Sequence, residues 1–160
     1  MHRTITLLLI LLSGAVAAET PTHPTPARSF ELEGVTLGDD VQAVYSAFPN
    51  AKCLTTCVAE GATFMQAQGR FVAGMKAGKV EWLAFRFQPL LGEGDRVRVR
   101  DALELAHGKP THDLGVAGCH EWTLPDGYLA VCLNDELSHL YWSTASRVDV
   151  NKRQQTSGRR

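Results

Sequence analysis

The sequence predicts an α+β fold: tandem helix-plus-antiparallel-meander repeats forming one sheet, with helices packed on one face. Three observations carry this expectation. The stretch Cys119 to Trp142 reads as three β-rich runs parted by Pro125-Asp126-Gly127 and by Asn134-Asp135, both turn signals. Two separate stretches set apolar residues at i, i+3, i+4 and i+7, the spacing of one helix face: Val41, Val44, Tyr45, Phe48, and then Val99, Ala102, Leu103, Ala106. The whole pattern then recurs at an offset of about 57 residues.

From the amino end, Met1 to Ala18 reads as a signal peptide. It has a positive His2-Arg3, an apolar run from Ile5 to Leu12 and small residues at Ala15-Val16-Ala17-Ala18. The run is shorter than the roughly 20 residues of a spanning helix, so no stable membrane anchor is expected after cleavage. Residues 19–29, rich in Pro and Thr, read as a disordered linker. A single α+β domain follows over 30–146, with repeat one at 30–88 and repeat two at 89–146. The polar, basic residues 147–160 read as a disordered tail.

Within repeat one, Asp39 is the expected N-cap of the first helix and Pro49-Asn50 ends it. The segment from Ala51 to Gly61 reads as a loop around Cys53 and Cys57, with strands over 62–68 and 69–75. Val80 to Phe87 is the strongest single strand. In repeat two a helix opens after Leu91-Gly92, and His107-Gly108-Lys109-Pro110 stops it with a glycine and then a proline. The meander of the second repeat closes the domain. Leu37-Gly38, the first helix face and Val80 to Phe85 thus match Leu91-Gly92, the second helix face and Leu137 to Trp142.

Four cysteines in an exported chain imply two disulfides, with three possible connectivities. If Leu124 faces Gly127, the same register sets Cys119 opposite Cys132. Cross-strand Cβ atoms lie about 4.5–5.5 Å apart, near what a disulfide needs. That favours Cys119–Cys132 and leaves Cys53–Cys57 as a local loop; a cross-link such as Cys53–Cys119 is the alternative.

The Leu37-Gly38 helix start, the His107-Gly-Lys-Pro110 exit and the Trp-bearing Glu121-Trp-Thr-Leu124 strand together resemble the small envelope proteins of the BamE/SmpA type. In tandem they resemble the β-lactamase-inhibitory-protein architecture, in which two helix-plus-sheet units make one long curved sheet. The resemblance spans Gly34 to Trp142. It implies a non-enzymatic module that binds another protein. The chain departs from the BamE type in having no acylated cysteine after its leader.

Strand alternation sorts the side chains independently of that resemblance. Leu83, Phe85 and Phe87 share a face, as do Leu140 and Trp142; His120, Trp122 and Leu124 align with Leu129, Val131 and Leu133. These form the expected core beneath the helices. The opposite face then carries Trp82, Ala84, Arg86, Glu121, Thr123, Tyr128, His139 and Tyr141. Trp, Tyr and Arg on an open sheet are residue types enriched at binding hot spots. The candidate protein-binding face is therefore Trp82, Arg86, Glu121, Tyr128, His139 and Tyr141.

Little in the chain points to catalysis. No G-x-S-x-G, H-E-x-x-H, phosphate-loop or dinucleotide pattern occurs. His107, His112 and His120 match no metal-ligand spacing, and no cofactor is expected. A formal net charge of −1 argues against a nucleic-acid partner. The expectation is a periplasmic or secreted non-enzyme whose partner is another exported or envelope protein. The leading reading is an inhibitor or immunity-type protein that occludes an exported enzyme or toxin. One alternative is an envelope-assembly or cell-wall accessory protein. The other is a periplasmic module for a small molecule or lipid, which predicts an enclosed apolar cavity. The sequence leaves oligomeric state undetermined.

Overall fold

The computed structural model describes residues 29–147. The expected signal peptide, most of the expected linker and residues 148–160 of the expected tail lie outside the described residues. Among the described residues, two helices and one eight-stranded antiparallel sheet make an α+β fold. In chain order the elements are α1 (Val41–Ala47), β1 (Lys52–Cys53), β2 (Thr56–Phe64), β3 (Ala67–Lys76), β4 (Lys79–Phe87), α2 (Glu93–His107), β5 (His112–Asp113), β6 (Cys119–Leu124), β7 (Gly127–Leu133) and β8 (Ser138–Ser143). Each helix is thus followed by four strands, the first of each set only two residues long.

The strand order is β1-β2-β3-β4-β8-β7-β6-β5. The two sets of strands join through their last members, with Phe85 opposite Leu140 and Leu83 opposite Trp142. That pairing places β4, with the buried Leu83, Phe85 and Phe87, at the sheet centre. The two-residue strands take the outer positions, where β1 covers only Cys57 and Val58 of β2 and β5 covers only His120 and Glu121 of β6. Just before β5, Thr111 extends the cover of β6: its N–H and its hydroxyl both donate to the Glu121 carbonyl.

One buried cluster runs the length of the sheet on a single face. It joins Phe71, Leu83, Phe85, Phe87, Trp122, Leu124, Leu129, Val131, Leu140 and Trp142 to Val44 and Phe48 of α1 and Val99 and Leu103 of α2. Phe48 stacks on Phe71 with ring centroids 4.2 Å apart. Trp122 fixes the other helix, its Nε1–H donating to the Gly108 carbonyl at 2.8 Å. Phe30 closes the core from the N-terminal side, edge-on to Trp142 at 5.3 Å.

Several local expectations shift. The α1 N-cap is Asp40, whose carboxylate accepts from the Gln42 and Ala43 N–H groups; Asp39 instead accepts from Thr36 N–H. The pair is adjacent and chemically equivalent, and the bridge between Asp40 and Lys79 decides between them. Tyr45, assigned to the buried face of this helix, is 36% exposed. A helix of only seven residues offers the sheet little more than Val44, with Phe48 at its C-cap. On α2, Ala106 is likewise exposed and Ala102 half-buried.

The first hairpin turns at Met65-Gln66, both with positive φ (48° and 65°). Two successive left-handed residues match the twist of a tight hairpin. Neither is the Gly, Asn or Asp that normally marks such a turn, so the sequence put strand 62–68 across it. β2 starts earlier than expected, at Thr56, and bulges between Glu60 and Ala62 around Gly61 (φ 67°).

Both disulfides follow the favoured pairing, Cys53–Cys57 and Cys119–Cys132. Cys119 sits opposite Cys132, and Cys53 opposite Cys57, in register. The hairpin reasoning from Leu124 and Gly127 therefore holds along the whole of β6 and β7. Disulfides of this kind fit an oxidising compartment. Among the described residues no helix is long and apolar enough to cross a membrane.

Candidate functional site

The sheet face away from the helices is built from cross-strand rows. One row runs Gly74, Trp82, Ser143, Tyr128, Thr123; the next runs Val72, Ala84, Tyr141, Ala130, Glu121; a third runs Glu60, Arg70, Arg86, His139, Cys132, Cys119. All six predicted site residues therefore lie on one face. They differ sharply in what they offer to solvent. Arg86 is exposed, Trp82, Tyr128, His139 and Tyr141 are half-buried, and Glu121 is fully buried.

Trp82 and Tyr141 stack at 5.6 Å with rings inclined by 25°. The indole lies over Gly74, where an added Cβ would fall 2.0 Å from Nε1. Gly74, Ala84 and Ala130 put small residues next to this half-buried aromatic pair. Arg147 lies over the tyrosine ring, its guanidinium carbon 3.7 Å from the ring centroid, a close cation–π contact.

Glu121 does not belong to an accessible binding surface. After β8 the chain turns at Ser143, whose hydroxyl donates to the Ala145 carbonyl, and returns across this face. The Ser146 hydroxyl donates to Glu121 Oε1 at 2.6 Å, and the Arg147 N–H donates to Oε2 at 2.7 Å. Alternation placed Glu121 on the correct side of the sheet but could not show what crosses above it. Its carboxylate is a latch that holds Ser146 and Arg147 over the sheet. Arg147, expected to begin a disordered tail, is instead part of the site.

This latch makes a definite prediction. Glu121→Ala removes the acceptor of a buried hydroxyl and a half-buried N–H, at a cost of about 1–3 kcal/mol. Amide hydrogen exchange should show faster exchange at Arg147, while the core strands remain protected. Unchanged protection there would contradict the latch.

His139 lies between Arg86 in its row and Arg147 above the face. Burial, then Arg147, then Arg86, lower its pKa below the ordinary histidine value, so near neutrality it stays uncharged. Among the described residues the other histidines do not gather around it. His107 packs near Phe30 at the end of α2, His112 is exposed in β5, and His120 faces the helix side of β6. His120 is half-buried where the core was expected, because it borders a cleft between α2 and the second meander.

That cleft, of about 300 Å³, is lined by Arg96, Arg100, His120, Trp122 and Val131, among others. Arg96 and Asp135 form an ion pair at 2.6 Å at its side. The cleft is open to solvent rather than an enclosed apolar cavity.

Sequence reasoning missed four contributors: Arg70, Gly74, Ser146 and Arg147. Carrying the alternation of β4 across to β3 would have found the first two once the register was known. Nothing in the sequence pointed to the others. Comparisons with known protein families, with curated proteins and with solved structures find no match to this chain.

Proposed function

We propose that this chain is an exported, non-enzymatic protein-binding module, and that its partner seats on the sheet face around Trp82 and Tyr141. The reading extends to an inhibitor or immunity-type role, in which the face occludes an exported enzyme or toxin. The observation that carries it is the Trp82–Tyr141–Arg147 cluster, set beside the small residues Gly74, Ala84 and Ala130 on the side of the sheet away from the buried cluster that the helices cover. Trp, Tyr and Arg are enriched at binding hot spots: Trp and Tyr bring large contact area with few rotamers to freeze, and Arg brings a planar fork of donors. Two disulfides fit export to the periplasm or medium.

The strand order also suits descent from a tandem pair of helix-plus-meander units joined through β4 and β8. Such a pair is the architecture that the BamE-like and β-lactamase-inhibitory-protein resemblance implies. An envelope-assembly role would use the same face with a different partner.

The test is capture from envelope extract by the oxidised protein, beside a Trp82→Ala/Tyr141→Ala double variant shown to be folded. Each truncation at a hot spot costs 2 kcal/mol or more, so the pair should weaken binding by about a hundredfold or more. A partner held by the wild type and lost by the variant supports the face. A hydrolase or toxin as that partner, inhibited at one equivalent, supports the inhibitor role; a structural envelope protein supports assembly. Equal capture by both proteins rejects the face.

A further inference from the structure

We propose that the open sheet face receives an acidic segment of its protein partner, held by Arg86 together with Arg147 beside the Trp82–Tyr141 stack. The inference rests on the protein-binding reading of this face and adds the chemistry of what it binds.

The observation behind it is an uncompensated cation. Arg70 and Arg86 stand directly opposite one another on β3 and β4, and the uncharged His139 stands next to Arg86 on β8. Like charges directly opposite each other destabilise a sheet. Glu60, at the end of the row, reaches only Arg70, at 3.1 Å. Arg86 has no ion pair among the described residues. Beyond His139 the row continues into Cys132 and Cys119, which carry no charge. Arg147 adds a second cation from above. The one carboxylate in the adjoining row is Glu121, buried and occupied by Ser146 and Arg147 N–H. A chain with a formal net charge of −1 thus concentrates cations on this face, which attracts and orients an acidic partner.

Shape identifies the partner as a protein surface rather than a small anion. Val72, Ala84 and Ala130 make the surroundings of Arg86 shallow. The clefts along α2 include neither Arg86 nor His139. A flat face cannot enclose a small ion, whereas a protruding acidic segment can meet Arg86 and Arg147 while an apolar neighbour packs on Trp82.

The probes are a labelled peptide of alternating Glu and Tyr, its Lys/Tyr counterpart, and vesicles containing anionic phospholipid, each titrated with the oxidised full chain. The Glu/Tyr peptide is expected to bind, with affinity falling as salt rises. Arg86→Glu should weaken it at least about tenfold, a hot-spot loss, and Arg86→Gln by less. Glu60→Gln should strengthen it by freeing Arg70, and Lys109→Glu, away from this face, should leave it unchanged. Failure of the Glu/Tyr peptide to bind, equal binding of the Lys/Tyr peptide, or binding unaffected by Arg86→Glu overturns the proposal. Vesicle binding without peptide binding overturns it in favour of a lipid surface. In the capture experiment, a partner lost by the Trp82/Tyr141 variant yet fully retained by Arg86→Glu removes the acidic inference and leaves the binding face standing. A partner retained by both variants removes the face itself.

Discussion

Replacing Trp122 with alanine should lower the stability of the domain by about 3–5 kcal/mol, the range for truncating a large buried aromatic side chain. The magnitude has two sources. Trp122 is 1% exposed and packs in the cluster shared by the sheet and both helices, so its loss leaves a large cavity. It also breaks the hydrogen bond from its indole to the Gly108 carbonyl, the point where α2 ends and the chain enters the second meander. Chemical denaturation of the oxidised protein measures the total.

The two sources separate on comparison with Trp142, which is equally buried but has an indole N–H with no hydrogen-bond partner among the described residues. Trp142→Phe removes packing together with a buried N–H that has no partner, so it breaks no hydrogen bond. Trp122→Phe removes packing and leaves a helix-terminal carbonyl without its donor, costing about 1 kcal/mol more. Equal losses from the two phenylalanine variants would show that the Gly108 bond contributes nothing to stability.

Loss of the Cys119–Cys132 disulfide, through paired substitution by alanine, should cost about 3 kcal/mol. The bond spans a sequence separation of 13 and closes the hairpin of β6 and β7. In the chain-entropy account the loss comes from the greater freedom of the unfolded chain, and it grows with loop length. Cys53–Cys57, with a separation of only 4, should give less, about 2 kcal/mol. Denaturant midpoints of the two double variants give the order directly; a larger loss at Cys53–Cys57 would reverse the argument. The first bond also lies beside His139 in its row, so the Cys119/Cys132 variant is the one expected to loosen the candidate face.

The residues determine the local features of this fold with good fidelity. Pro125-Asp126-Gly127 sets the β6–β7 turn, and the turn sets a register that runs from Leu124–Gly127 to Cys119–Cys132. The disulfide follows from that register. Gly108 and Pro110 mark the end of α2, and alternation in β4 and β8 separates Leu83, Phe85, Leu140 and Trp142 from Trp82, Arg86, His139 and Tyr141. Each of these depends on neighbours close in the chain or directly across a tight turn, where dihedral preference and strand period decide the outcome.

Tertiary structure decided the rest. The pairing of β4 with β8 joins strands far apart in sequence, and no local signal says which strand of one half meets which of the other. Met65-Gln66 turns a hairpin without turn residues because the long β2–β3 ladder, which runs to Phe64 opposite Ala67, and the pairing of β3 with β4 hold the strands that meet there. Tyr45 shares its helix period with Val44 yet faces solvent, since a short helix resting on a wide sheet buries only its line of contact. Glu121 has the alternation of an open-face residue, and only the return of Ser146 and Arg147 above it converts a surface carboxylate into a buried latch. A period of two assigns a side chain to a face of the sheet; what later covers that face depends on contacts that the period does not contain.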